Sequence, residues 1–384
     1  MVETANETTQ PTPSAAPAHV RVALDAMGGD NAPGEVVLGA VQAAHDYGVG
    51  VLLVGPEDII KAELAKHDTT GLDLEVVHTD EVIGMDEHPA EAVRSKRRNS
   101  ITISHELVRD GKAVGAVSAG NSGAVLAAAI FTLRRIKGID RPAFGGVFPA
   151  AGGARVLVID IGANTDCKPP YLLQFALMGS AYMRAIFGMT NPRVGLLSNG
   201  EEETKGDQLT QEAHKLIQAS APSAGINFIG NVEGRDINTG AVDVVVCDGF
   251  VGNVVLKTAE GLSKMLLETI KKELTAGPIT TVGALLAKPA FDRVRKQMDY
   301  EEYGGTPVLG VNGVSVISHG RSRAKAIKNA IRVARQAAEA ELPQAIAEGM
   351  RRMGTAASEN ASDSADAAVS DQVSKAATTA RVDG

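Results

Sequence analysis

The chain lacks tryptophan, has only 3 % aromatic residues and contains two cysteines, Cys167 and Cys247. Neither cysteine has a CxxC partner, so no disulfide framework or zinc site is indicated, and a reducing cytosol fits. Cys247 ends the apolar run Val244–Cys247 and reads as a buried small hydrophobe, not a nucleophile. No apolar run approaches the roughly 18 residues that a membrane span needs. An excess of basic charge is missing too: the formal net charge is −8, against the broad phosphate-backbone footprint of a nucleic-acid binder. HExxH, GxSxG, Walker A and complete GxGxxG motifs are absent. His78, His105, His214 and His319 show no ligand spacing, and each reads as a surface or internally satisfied histidine. No metal or cofactor is expected.

Glycine, by contrast, is abundant at 41 residues, which suits many tight strand-to-helix turns. Residues 1–18 are rich in Thr, Pro and Ala without a basic start or an apolar core, and read as a disordered tail, not a signal peptide. Residues 351–384 form an Ala/Ser/Asp tract that reads the same way. Between them, across 19–350, β-branched runs alternate with helical patterns. Strands are predicted at 21–24, 50–54, 74–78, 116–117, 156–159, 194–197, 227–229, 242–247 and 314–317. Helices are predicted at 35–47, 56–66, 89–97, 102–110, 122–135, 170–187, 205–219 and 254–274. Such alternation predicts an α/β fold, an open and mostly parallel sheet with helices on both faces.

The Val20–Gly34 segment ends an apolar run at Asp25, turns through Gly28 and Gly29, and enters a helix pattern. This layout brings backbone N–H groups and carboxylates to the lip of a sheet, where ligands bind. Four further runs end the same way. Val117–Ala124 offers Ser118, Gly120, Asn121 and Ser122 at a helix start, where they suit either phosphate or helix capping. Ile159–Pro169 supplies carboxylates, an amide and one lysine; Leu196–Asp207 carries Lys205; and Asp248 and Asn253 bracket a Gly-rich turn before a basic helix. Five such loops in one α/β chain predict a common anion-handling crevice. From about 254 to 300 a helical arm is predicted to project from the sheet, with a dimerisation role or an apolar tip (Ile279, Val282, Leu285, Leu286) that dips into a membrane surface.

With these loops laid out, the chain closely resembles the bacterial phosphate acyltransferases of fatty acid and phospholipid synthesis, the PlsX family. The resemblance rests on Asp25-Ala-Met-Gly-Gly-Asp30, Ser118-Ala-Gly-Asn-Ser-Gly-Ala124, Arg135-Ile-Lys-Gly-Ile-Asp-Arg-Pro-Ala143, Gly162-Ala-Asn164, Gln174-Phe-Ala-Leu-Met-Gly-Ser180, Asn191-Pro-Arg-Val-Gly-Leu-Leu197, Ile226-Asn-Phe-Ile-Gly-Asn-Val232 and Asp248-Gly-Phe-Val-Gly-Asn-Val-Val-Leu-Lys257. These stretches run in family order from about Val20 to Gln344.

The resemblance implies that inorganic phosphate attacks the thioester of a long-chain acyl–acyl carrier protein, giving acyl phosphate for a downstream glycerol-3-phosphate acyltransferase. It implies a phosphotransacetylase- or isocitrate-dehydrogenase-like sheet, a homodimer built on the arm, and a cytoplasmic enzyme peripherally associated with the membrane. On the family pattern Lys205 stabilises phosphate or the oxyanion, and Asn253 orients the thioester. Asp25, Gly28, Gly29, Gly120, Asn121, Ser122, Asn164 and Asp248 line the pocket. Lys264, Lys271, Lys272, Arg293, Arg295 and Lys296 dock the acidic carrier. The chain departs from the pattern at Glu201 and Asp207, which add negative charge to the Lys205 loop. Ser122 replaces a Thr, and Asn31 replaces a His, so no histidine is needed there. Two other readings share much of this pattern: a phosphotransacetylase using acyl-CoA, and a non-catalytic membrane-bound scaffold.

Overall fold

A computed structural model describes residues 20–298 and 304–355, the side chains of 295–298 excepted. The predicted tail at 1–18 and residues 356–384 of the tail predicted at 351–384 lie outside the described residues, as do the side chains of Arg295 and Lys296.

The chain opens with β1 (Arg21–Asp25), α1 (Gly34–Tyr47), β2 (Gly50–Gly55), α2 (Glu57–Leu64) and β3 (Leu74–His78). It continues through α3 (Pro89–Ser95), α4 (Ser100–Arg109), β4 (Gly115–Ser118) and α5 (Ser122–Thr132). Next come β5 (Ala143–Pro149), β6 (Arg155–Ile159), α6 (Pro169–Phe187), β7 (Arg193–Leu197), α7 (Gln208–Ala224), β8 (Asn227–Val232) and β9 (Val244–Val246). A helical hairpin, α8 (Gly249–Leu274) and α9 (Pro278–Met298), precedes β10 (Thr306–Leu309), β11 (Val314–Ile317) and α10 (Ala324–Glu339). A last helix, α11, spans 342–355, so ordered helix continues past the expected end of the folded region at Met350.

All eleven strands form one sheet in the order β3-β2-β1-β4-β11-β10-β5-β6-β9-β7-β8. The fold is α/β as expected, and most neighbours are parallel. The exceptions sit in the middle: β10 pairs antiparallel with both β11 and β5, and β5 antiparallel with β6. Three reversals turn the second parallel block (β6, β9, β7, β8) opposite to the first (β3, β2, β1, β4, β11). Loops that follow β1, β4 and β11 therefore leave one edge of the sheet, and loops that follow β6, β9 and β7 leave the other. The five loops do not share a single strand-end lip.

Helices cover both faces. Apolar positions of α1, α6, α7 and α10 join alternate strand residues in one core, where Leu24, Phe175, Tyr182 and Ile327 are fully enclosed. On the opposite face α3, α5 and the first turns of α8 pack through Val93, Ala128, Val255 and Leu256 against Phe144, Phe148, Val158 and Cys247. Cys247 is buried, as its run predicts. Beyond Gly261 the hairpin leaves this core. Among the described residues no helix is long and apolar enough to cross a membrane.

Candidate active site

Two groups of loop residues form, one at each edge. The first gathers at the ends of β1, β4 and β11. Asp25 is buried and accepts hydrogen bonds from the Ser118 hydroxyl at 2.7 Å and the Met27 amide at 3.1 Å. Ser118 in turn accepts from the Gly120 amide at 3.0 Å. Burial pushes the Asp25 carboxyl up, only partly offset by these donors. Gly28 is required here: a Cβ would lie 2.6 Å from both the Asp25 carboxylate and the Gly120 nitrogen. Gly29 has φ +96°, and a Cβ there would lie 2.8 Å from the Gly320 carbonyl. The turn is tied to the loop after β11, with the Asp30 amide donating to Gly320 at 2.7 Å and the Asn31 side chain to the carbonyls of Arg321 and Ser322. Asn121 is the N-cap of α5, accepting from the Ala124 amide, while its own amide holds the carbonyls of Met85 and Glu87. Ser122 is exposed in the first turn of that helix.

The second group surrounds the end of β6. Asp160 is fully buried and accepts from the amides of Phe144, Gly162, Ala163 and Asn164 and from the Asn164 side chain, which also donates to Pro142 at 2.8 Å. Burial pushes this carboxyl up against that set of donors. The start of α8 sits on the same loop. The Gly249 amide donates to the Asn164 carbonyl at 2.7 Å, and Asn253 donates to the Ile161 carbonyl at 3.2 Å. A Cβ at Gly249 would meet the Asn164 backbone at 2.7 Å, and one at Gly252 would overlap the Asp160 carbonyl. The Gly-rich stretch expected as a turn ahead of the helix is thus the helix's own first turn. Glycine is placed there so that two backbones can touch. Asp248 is its N-cap, accepting from the amides of Phe250 and Val251 at 2.9 Å.

Lys205 lies on the loop after β7, ahead of α7, which starts at Gln208 and not at Lys205; its N-cap is Asp207. The lysine's methylenes lie over Gly200, and its ammonium is exposed with no side-chain partner among the described residues. This loop borders a cavity of about 490 Å³ lined by Thr165, Asp166, Cys167, Asp207, Leu209, Asp248, Phe250 and Val251. The Cys167 thiol is pushed up to about 12 by burial, with Asp160 and Asp248 adding to the effect, so it is no nucleophile at neutral pH.

The helix α8 links the two groups. Asn253 faces the second, and one to two turns on, Lys257 pairs with Glu260 at 3.0 Å; burial pushes His319 of the first group down, and the charge of Lys257 adds to the effect. Sequence reasoning did not single out the loop that follows β11. A signal existed: Ser318–Arg323 is a sixth strand-to-helix loop, overlooked because α10 had not been recognised behind it. His105 and His214 are internally satisfied, bonded to Ile101 and Ser315 and to Asn231 respectively. Burial pushes His105 down to about 4. No group of three or more His, Cys, Asp or Glu side chains among the described residues is arranged to hold a metal ion.

A sequence profile described as "Fatty acid synthesis protein" matches residues 20–345. The chain is 55 % identical over 323 residues to the phosphate acyltransferase of Pelotomaculum thermopropionicum, covering 84 % of this chain and 93 % of that one. It is 54 % identical over 317 residues to the phosphate acyltransferase of Geobacter sp. strain M21, covering 83 % and 89 %. Among solved structures, the EutD phosphotransacetylase from Staphylococcus aureus superposes with a TM-score of 0.57 at 19 % identity, covering 83 % of this chain and 94 % of that one. A phosphotransacetylase from Streptococcus pyogenes gives 0.58 at 17 % identity, covering 84 % and 94 %. At these identities the structures speak for the fold alone.

Proposed function

Since the chain belongs to the phosphate acyltransferase family and is an acyltransferase that uses phosphate as acceptor, we propose that its donor is a long-chain acyl–acyl carrier protein. A hydrogenphosphate oxygen attacks the thioester carbonyl carbon, a C–O bond forms and the C–S bond breaks. The phosphate proton ends on the departing thiol, giving acyl phosphate and free carrier. Phosphate is already a nucleophile, so the protein's work is to position it and to hold the developing oxyanion. Asn253 orients the thioester from the first turn of α8, with Asn164 and Asp248 fixing that turn and its loop. Lys205 supplies positive charge to the oxyanion from the cavity rim. Asp25, Gly28, Gly29, Gly120, Asn121 and Ser122 shape the other wall.

The observation that carries the long-chain, carrier-borne donor is the hairpin. Leu262, Met265, Leu266, Ile279, Val282, Leu285 and Leu286 stand 47–87 % exposed on it. Fully burying each such side chain is worth about 1.5–3 kcal/mol, so a stripe of this size favours being covered. A second copy covers the stem, making a homodimer, and the tip contacts the cytoplasmic face of the membrane. Lys264, Lys271, Lys272 and Arg293 stand beside it and suit an acidic carrier protein. Arg295 and Lys296 belong to the same proposal. The acyl phosphate then serves the glycerol-3-phosphate acyltransferase that starts phospholipid synthesis.

Incubation with phosphate and palmitoyl–carrier protein, followed by trapping with hydroxylamine, tests the donor. Palmitoyl hydroxamate is expected. Product from short acyl-CoA alone would replace the carrier-protein donor with a soluble one, and no hydroxamate from either thioester would overturn the catalytic reading.

A further inference from the structure

We propose that Asn231 of β8, held in place by His214 of α7, is a positioning residue for Lys205. The inference rests on the oxyanion role proposed for that lysine and goes beyond it by naming what fixes the loop that carries it. Asn231 lies in the Ile226–Val232 stretch of the family resemblance, a segment to which the proposed chemistry gives no task. Both side chains are buried, Asn231 at 6 % exposure and His214 at 3 %. A polar pair enclosed this deeply loses its hydration and must be matched by internal partners.

Those partners lead to the lysine. The Asn231 side-chain amide donates to the Glu202 carbonyl at 2.8 Å, and the same carbonyl accepts from the backbone amide of Lys205 at 3.0 Å. Both acceptor positions of that oxygen are filled, one by a buried side chain and one by Lys205 itself. Because the Asn231 nitrogen is spent on Glu202, its oxygen faces His214 Nδ1 at 2.9 Å, and the proton of the neutral ring lies on Nδ1. The Phe228 ring stands edge-on to the imidazole, 5.2 Å between centroids. One chain of contacts thus runs from α7 through β8 to the peptide unit of Lys205. The backbone on either side is tied as well. Gln211 donates to the Thr204 and Gly206 carbonyls at 2.9 and 3.0 Å, and the Gly206 amide donates to Asn199 at 2.8 Å. Gln211 is half-buried and Asn199 exposed, so water competes for these ties, whereas Asn231 and His214 are interior.

Charge explains why an ordered loop matters here. Glu201, Glu202 and Glu203 directly precede Thr204 and Lys205. A lysine on a slack loop would pair with one of them, and an ammonium so neutralised has little to offer an oxyanion. Two of the three face other partners: Glu201 pairs with Arg235 at 3.1 Å, and Glu203 stands 3.9 Å from His214 Nε2. Glu202 is the third, with its carboxylate and the Lys205 methylenes both lying over Gly200. Its backbone carbonyl is the one that Asn231 holds. The tether therefore acts on the residue whose carboxylate competes for the lysine.

A double-mutant cycle tests the positioning role. Asn231→Asp keeps the oxygen that accepts from His214 and replaces the donor to Glu202 with a second oxygen. It is expected to lower kcat about tenfold, the scale of one lost buried hydrogen bond, and by less than about twofold where Lys205 is already alanine. Asn231→Ser loses the reach to Glu202 without adding charge and should trace the same pattern, so misfolding of one variant does not decide the outcome. His214→Gln, which still carries a donor for Asn231, should retain more turnover than His214→Ala. With Lys205→Ala impaired, an equal Asn231 loss in both backgrounds would overturn the positioning role alone. Wild-type turnover in Lys205→Ala would remove the lysine from the chemistry, and the positioning role with it. Trypsin cleavage after Lys205 reads the loop without any substrate, and it should rise severalfold in Asn231→Ser. Cleavage at the wild-type rate would show that Asn231 does not order the loop and would overturn the proposal.

Discussion

Asp25 illustrates how one side chain can be read correctly for position and differently for work. The sequence places it at the end of β1 beside a Gly-Gly turn, and there it stands, but its carboxylate is turned inward onto Ser118 with no cation among its partners. Its folded pKa lies above the ordinary carboxylate value of about 3.9. Below that ordinary value the group is protonated in folded and unfolded chains alike and has no effect. As pH rises toward and through the folded value, the fold must hold a buried charge, so this residue's contribution turns destabilising. Asp25→Asn removes the charge and keeps an oxygen for the Met27 amide. Its melting temperature is expected to gain on the wild type as pH rises from below the ordinary carboxylate value to neutral; an equal offset at both ends would refute the buried charge. Asn121, Asp207 and Asp248 teach a related lesson. Each was a candidate for anion handling or sat beside one, and each caps a helix. The same short oxygen-bearing side chains serve both tasks, so composition at a helix start does not separate them.

At the scale of elements, the strands and helices of each βα unit were legible because their apolar periods differ, 2 against 3.6. The two strands that escaped were those of the antiparallel insertion. β5 contains Gly145 and Gly146 and ends on Pro149, and β10 is a four-residue strand with Pro307, so neither carries a β-branched run. α10 escaped because its buried face is largely alanine, at 324, 326, 330, 334 and 337. The boundary of α8 was set too late by its glycines, which sequence rules treat as turn signals. Here they mark a backbone contact. Gly252→Ala is therefore expected to destabilise by about 1–3 kcal/mol or more, since the Asp160 carbonyl it would strike is part of a fixed loop. Gly261→Ala, on the same helix with nothing within 4 Å, should be neutral or stabilise by up to about 1 kcal/mol. Chemical denaturation of the two variants decides it. Similar losses in both would mean that helix propensity, and not the close approach, governs the site.

For the whole molecule, the reversal in mid-sheet was not legible, because alternating β and α patterns describe blocks and carry no information about how two blocks join. Its consequence reaches the site. Strand-end loops that seemed destined for one lip lie at two edges, and α8 must run between them before it can project as one limb of the hairpin. Position along this helix therefore sorts its surroundings: the first turn packs on the Asp160 loop through Gly249, Gly252 and Asn253, and beyond Gly261 the apolar residues are exposed. The two kinds of cover proposed for that remainder are separable, because stem and tip are different residues. Leu262→Glu with Met265→Glu is expected to convert a dimer to a monomer by light scattering. Leu285→Glu with Leu286→Glu should leave the dimer intact and reduce co-sedimentation with anionic vesicles about tenfold or more, since each substitution puts a charge where apolar burial drove binding. A wild type that is monomeric would remove the stem interface. Vesicle binding unchanged by the tip charges would assign that surface to the carrier protein instead.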